Sequence, residues 1–225
     1  MNRSNLARQL DIEYRSVPSG VDPLLQTLDE YIRSTEFKRL INQIAVAQAR
    51  TDFKSLAVLS ELRGEGKSFF TAALALAYAR HLPSRVLIVD TVTPSSQEHS
   101  CFQPLVGMHA PHSLKSRGLV EPGLIDLVCT NQGSANSAAQ SDFQIGQYLS
   151  SFADRYDLMI VDTTALAANC KDKTDPIIVA QNVDVSILLA SSYSLDKEIL
   201  SGIKRKLQRY GIEPLGIVFN AGMRK

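Results

Sequence analysis

Between Ser55 and Ala77 the chain spells a short apolar strand, a glycine-flanked turn, a Lys-Ser pair and a long apolar helix. The strand is Ser55-Leu-Ala-Val-Leu59 and the turn Ser60-Glu-Leu-Arg-Gly-Glu-Gly66. Lys67-Ser68 follow, then Phe69-Phe-Thr-Ala-Ala-Leu-Ala-Leu-Ala77. This order constrains the fold more than any other feature. A turn of this kind feeding a helix gathers backbone amides into one hollow, and the helix dipole favours negative charge there. Gly64 and Gly66 permit backbone angles and close approach that a side chain would block. Lys67 has the reach for a terminal phosphate, and the Ser68 hydroxyl can ligate Mg²⁺. The strict pattern G-x-x-x-x-G-K-[ST] would place its first glycine where this chain has Glu61. The strand before and the helix after nevertheless supply the context a nucleotide-phosphate loop needs.

A chain of 225 residues can bury a substantial core. Its 44% hydrophobic and 21% charged residues exclude wholesale disorder. A formal net charge of +1 gives no electrostatic footprint for nucleic acid, so no nucleic-acid partner is expected. No apolar stretch approaches a bilayer span, and the polar first fifteen residues do not read as a secretory signal. Cys101, Cys129 and Cys170 are odd in number and widely spaced, and read as reduced cytosolic thiols.

Residues 1–22 are polar, contain Pro18-Ser19-Gly20, and are expected to form a flexible leader. Residues 23–225 are expected to form a single domain, opened by an N-terminal helical segment over 23–50. There, Leu24, Leu25, Leu28, Ile32, Phe37, Leu40, Ile41, Ile44 and Val46 fit one or two amphipathic helices. Val86-Leu-Ile-Val-Asp90 and Leu158-Met-Ile-Val-Asp162 are buried-strand patterns ending in a carboxylate. Val185–Ala190 and Leu215–Asn220 are two more strands, and helical segments lie between them. The fold class is therefore α/β, a parallel sheet flanked by helices. Gly123-Leu-Ile-Asp-Leu-Val128 is expected to be a short helix. A further helix from about Leu195 to Tyr210 should be capped by Ser194, ended by Gly211, and striped by Leu195, Ile199, Leu200, Ile203 and Leu207. The stretch from about Thr93 to Ser141 is polar and least informative.

In open parallel sheets ligands bind beyond the carboxyl ends of the strands. Asp90 and Asp162 both fall there, with the glycine-rich loop. Asp162 suits the metal side of a Mg²⁺-nucleotide. Asp90 suits a group that orients or deprotonates an attacking hydroxyl or water. The competing reading of each is a local cap on its strand-to-helix loop.

These residues together resemble the bacterial tyrosine kinase (BY-kinase) family and its relatives in exopolysaccharide synthesis, within the ParA/MinD-type P-loop ATPases. Ser60 to Ser68 is similar to that family's Walker A motif, Val86–Asp90 to its A′ motif, and Tyr156–Thr163 to Walker B. Asp175-Pro-Ile-Ile-Val-Ala180, Val183-Asp184 and Leu215–Asn220 resemble later landmarks of the family. The resemblance implies a P-loop NTPase fold that binds ATP or ADP with Mg²⁺. Arg63, Gly64, Glu65, Gly66, Lys67, Ser68 and Phe69 would surround the phosphates, Ser68 and Asp162 would hold Mg²⁺, and Asp90 and Lys67 would be catalytic. Asn220 would lie near the adenine.

Departures from the family qualify the activity. Val92 and Pro94 stand where A′ usually carries a second Asp and an Arg. Thr164 and Ala165 replace the prolines after Walker B, and Leu62 replaces the signature lysine of partition ATPases. The oligomerising motif reads Glu36-x-x-Arg39-x-x-Asn42, without its second Arg. The seven tyrosines lie at 14, 31, 78, 148, 156, 193 and 210, not in a cluster beyond Asn220, so tail self-phosphorylation is not expected. The resemblance thus implies an ATP-binding, kinase-like cytoplasmic component of exopolysaccharide biosynthesis or export with weak or no catalysis. It would regulate a membrane polysaccharide co-polymerase from the cytoplasmic face and be peripheral to the inner membrane through that partner. A homo-oligomer is its other implied assembly. The alternatives are an active protein-tyrosine kinase acting on other proteins, a ParA/MinD-type spatial organiser, and a nucleotide-binding scaffold without chemistry.

Overall fold

The computed structural model describes residues 23–82, 84–94, 100–106, 125–131, 144–168, 170, 173–191 and 197–221. In chain order the elements are α1 (Pro23–Arg33), α2 (Thr35–Thr51), β1 (Ser55–Leu59), α3 (Lys67–His81), β2 (Val86–Pro94), β3 (Ile125–Asn131), α4 (144–150), β4 (Leu158–Asp162), α5 (Pro176–Gln181), β5 (Val185–Ser191), α6 (Lys197–Arg209) and β6 (Gly216–Asn220). The expected leader and the Ser194 cap lie outside the described residues.

The strands form one sheet in the order β3-β2-β4-β1-β5-β6, every pair parallel. Because successive strand residues point to opposite faces, β1 and β4 each feed two cores. Leu56, Val58, Leu158 and Ile160 face the layer containing α1, α2 and α3. Ala57, Leu59, Met159 and Val161 face the layer containing α4, α5 and α6. The apolar runs read from the sequence are thus apolar on both sides because both sides are covered.

The N-terminal segment is two helices. Ser34 interrupts it and caps the second, its Oγ accepting from Phe37 N at 3.2 Å. Asp29, 7% exposed, is held between Arg33, at 2.6 Å, and Arg80 of α3. Tyr31 and Phe37 pack against Phe69 and Phe70. Helix α3 is buried from Phe70 to Ala79, and its five alanines at 72, 73, 75, 77 and 79 let it lie between sheet and outer helices.

Residues 125–128, expected to be helical, belong to strand β3. A short apolar run fits either state, and the tertiary partner decides. Ile125 and Leu127 are buried in one core, while the Asp126 carboxylate, directed elsewhere, accepts from Tyr156 Oη at 2.7 Å. In α6, Ile203 and Leu207 are buried as expected, but Ile199 is 43% exposed. Gly211 follows that helix with φ 72°, the left-handed geometry that suits a helix end.

The chain leaves β1 toward β2 on one side of the sheet and leaves β4 toward β5 on the other. The switch point therefore lies at the carboxyl ends of β1 and β4, where loops diverge and leave a crevice.

Candidate functional site

The glycine-rich loop crosses that crevice. Ser60, fully buried at the end of β1, donates from Oγ to Leu62 O at 2.8 Å and starts the turn. Gly64 and Gly66 have φ of 81° and 91°. A Cβ at residue 66 would come within 2.5 Å of Asn220 Nδ2, so glycine is required there by both angle and space.

Two side chains fasten the loop from below. Glu65 is 4% exposed and turned inward, where Oε2 accepts from Leu62 N at 3.0 Å and Oε1 from Ser191 N at 3.1 Å. Asn220, at the end of β6, donates from Nδ2 to Glu65 O at 2.9 Å. The loop is thus tied to the ends of β5 and β6. Of the predicted phosphate-side residues, Glu65 serves the loop through its side chain, and the Phe69 ring packs on Tyr31 at 5.2 Å between centroids. Only the backbones of these two are oriented by the loop. The Arg63 side chain is exposed. Asn220 is placed against the loop.

Lys67 opens α3. Its Nζ donates to Ser60 Oγ at 2.7 Å, and burial lowers its pKa below the usual lysine value, against the raising effect of Asp162 and Glu65. One residue on, Ser68 Oγ donates to Asp162 Oδ2 at 2.6 Å. Asp162 is in register with Val58 of β1 and with Asp90 of β2, which brings both carboxylates to one end of the sheet. Its other oxygen, Oδ1, is buried and has no hydrogen-bond partner among the described residues. Burial, with Asp90 adding to it, pushes the Asp162 carboxyl up to about 7 despite the hydroxyl of Ser68 and the charge of Lys67. A buried carboxylate oxygen and a serine hydroxyl side by side form an oxygen-donor pair. The pair fits Mg²⁺, which takes few protein ligands and keeps water or phosphate oxygens for the rest.

Asp90 is fully buried and already engaged. Oδ1 accepts from Val92 N and Thr93 N, both at 2.9 Å, and Oδ2 accepts from Ser100 Oγ at 2.7 Å. It therefore shapes the loop after β2, as well as facing the crevice.

Three participants escaped the sequence reading. Ser60 is the partner of Lys67. Lys173 Nζ donates to Val92 O at 3.2 Å, which brings a second ammonium to the end of β2. Cys101 follows the Ser100 anchor and is exposed. Burial first, then Asp162 and Asp90, hold that thiol up to about 11. Ser60 opens the glycine-rich motif without having been given a role of its own, whereas Lys173 and Cys101 lie outside every motif, and a contact between segments far apart in sequence brings Lys173 here.

No family model matches the sequence, and no curated protein matches it. Solved structures do. The kinase domain of the Escherichia coli tyrosine kinase ETK is 20% identical, covering 100% of this chain and 91% of its own, with a TM-score of 0.69. This is the fold of the bacterial tyrosine kinase domains. The chimerical protein CapA2B2 matches with a TM-score of 0.62 at 18% identity, over 88% of this chain and 89% of the other. The septum site-determining protein MinD of Pyrococcus horikoshii, complexed with Mg-ADP, matches at 0.50 and 15% identity over 76% and 72%. The all-parallel six-stranded sheet is therefore the P-loop ATPase fold of the ParA/MinD type. Among the described residues no helix is long and apolar enough to cross a membrane.

Proposed function

We propose that the chain binds Mg-ATP in the crevice above β1 and β4. The observation that carries this reading is the conjunction of the Lys67 ammonium at the loop with the Ser68–Asp162 pair and its orphaned oxygen. Backbone amides of Gly64 to Ser68 would cradle the phosphates. Lys67 would leave Ser60 to neutralise phosphate charge, and Asn220 would hold the loop's far side against the nucleoside. Ser68 and Asp162 would hold Mg²⁺, which supplies charge neutralisation at the phosphate oxygens when bound. Asp90 would orient the acceptor, but only by giving up part of a bonded arrangement that already occupies both of its oxygens. With Val92 offering no carboxylate, this supports slow or absent turnover.

The role that follows is an ATP-dependent regulator docked on the cytoplasmic side of a membrane polysaccharide co-polymerase, as the resemblance of the motifs implies. An active protein-tyrosine kinase is the second reading, favoured by the likeness in fold to bacterial kinase domains. Titration calorimetry with Mg-ATP tests the core of the proposal. Wild type gives saturable heat, and Lys67→Ala weakens binding by about a hundredfold or more. Equal binding by the two proteins refutes it. Labelled ATP with candidate acceptors separates the readings: phosphotyrosine at ordinary kinase rates, lost in Asp90→Ala, rejects the weak-catalysis part.

A further inference from the structure

The segment that follows β4 reaches across to β2. Thr164, two residues beyond Asp162 and 4% exposed, donates from Oγ1 to Thr174 O at 3.3 Å. Lys173 N donates to Cys170 O at 3.1 Å, and Asp175 Oδ1 accepts from Ile177 N at 2.8 Å where α5 begins. Residues 173–175 are therefore fastened to the end of β4 on one side and to a helix start on the other. From there the half-buried Lys173 places its Nζ 3.2 Å from Val92 O, on the neighbouring strand. Val92 N is in turn 2.9 Å from Asp90 Oδ1, and Asp90 is in register with Asp162, which accepts from Ser68. The ammonium thus stands at the crevice end of β2, beside the strand residues that carry the two buried carboxylates. Its charge goes unused there. Among the described residues Lys173 meets no carboxylate, and its hydrogen bond is to a neutral carbonyl. A neutral amide could make that tie, whereas a half-buried ammonium is costly unless an anion comes to it.

We propose that Lys173 selects the triphosphate: its ammonium passes from Val92 O to the terminal phosphate of bound Mg-ATP, a group that Mg-ADP lacks. The inference rests on the reading of the crevice as a Mg-nucleotide site. The terminal phosphoryl group brings about one further negative charge to a place already faced by Asp90 and Asp162, and Lys67 is a single cation. Lys173 supplies the second, on the strand where Val92 and Pro94 offer no charge of their own. A compact charge on a flexible stem can exchange one acceptor for another, and its bond to a phosphate oxygen is about twice as strong as one to a neutral carbonyl. Thr164 gains a role in the same arrangement. It stands where the resembling family carries proline, and its hydroxyl, which proline lacks, fastens the segment that presents Lys173.

Titration calorimetry on the full chain tests this by comparing Mg-ADP with the Mg complex of the β,γ-imido analogue of ATP, which is not hydrolysed. Wild type is expected to bind the triphosphate about tenfold or more tightly than the diphosphate. Lys173→Met should lose that preference while its Mg-ADP affinity stays within about threefold of wild type. Lys173→Arg should keep most of the preference, because it keeps the charge. A Lys173→Met protein that retains the preference overturns the proposal, whether or not both affinities fall, since a tie between Lys173 and β2 that is merely structural would affect the two nucleotides alike. Wild type that binds the two equally overturns it without any variant. Wild type that binds neither overturns the nucleotide reading, and this inference with it.

Discussion

Asp162→Asn should stabilise the metal-free protein at pH 8 while destroying its use of Mg²⁺. The Asp162 carboxyl moves from the ordinary 3.8 to about 7 on folding, chiefly through burial. A folded-state pKa raised above the unfolded one means that the neutral form is the stabilising one. Its contribution is complete below pH 3.8, declines as pH rises, and is gone above about 7. Each pKa unit is worth about 1.36 kcal/mol, so ionisation costs the fold about 2 kcal/mol at pH 5 and about 4 kcal/mol at pH 8. Asparagine carries no such dependence, although its amide, left without an acceptor where Oδ1 now lies, costs about 1–3 kcal/mol. That cost is the same at both pH values. The stability of the variant relative to wild type should therefore improve by about 2 kcal/mol between pH 5 and pH 8, whatever the amide costs. Because the chain has no tryptophan, urea unfolding is best followed by far-ultraviolet circular dichroism, with chelator present. Mg-ATP affinity, measured on the same samples, should fall at least about tenfold. A stability difference that does not change with pH would refute the argument that burial holds the Asp162 carboxyl up. So would one that shrinks toward pH 8.

Two further substitutions separate the loop from the frame that holds it. Gly66→Ala places a Cβ at φ 91° and 2.5 Å from Asn220 Nδ2. It should cost about 2–3 kcal/mol in denaturant unfolding and weaken nucleotide binding, and adding Asn220→Ala should recover part of the loss; strict additivity would contradict the proposed clash. Asp184 Oδ2 accepts from Lys54 N, Ser55 N and Ser55 Oγ, each at 2.8 Å, at the opposite end of β1. Asp184→Ala should lower stability by about 1–2 kcal/mol with nucleotide affinity unchanged, and calorimetry that shows weakened binding would contradict this division of labour.

Much of the frame was legible in the order of residues. Four apolar residues followed by an aspartate, twice, announced β2 and β4, and the Gly-Glu-Gly-Lys-Ser turn announced both the loop and the helix after it. These are local signals, since strand alternation, helix starts and left-handed glycines depend on a few neighbouring residues. Residues 125–128 were misread because a short run of Ile, Asp, Leu and Val suits a helix until a parallel neighbour in β2 is available. Glu65 was assigned to the ligand side, but its carboxylate turns to the amide of Ser191, 126 residues away. Asp90 read either as an acid toward the acceptor or as a local cap, and it accepts from the amides of Val92 and Thr93 as a cap does, while Ser100, ten residues on, comes to its other oxygen. The sequence by itself determined which segments become strands and where the phosphate-type loop lies. The tertiary structure alone decided which carboxylate oxygen is left without a partner among the described residues, because hydrogen-bond partners and burial are set by strand order and register, and no short stretch of chain contains those.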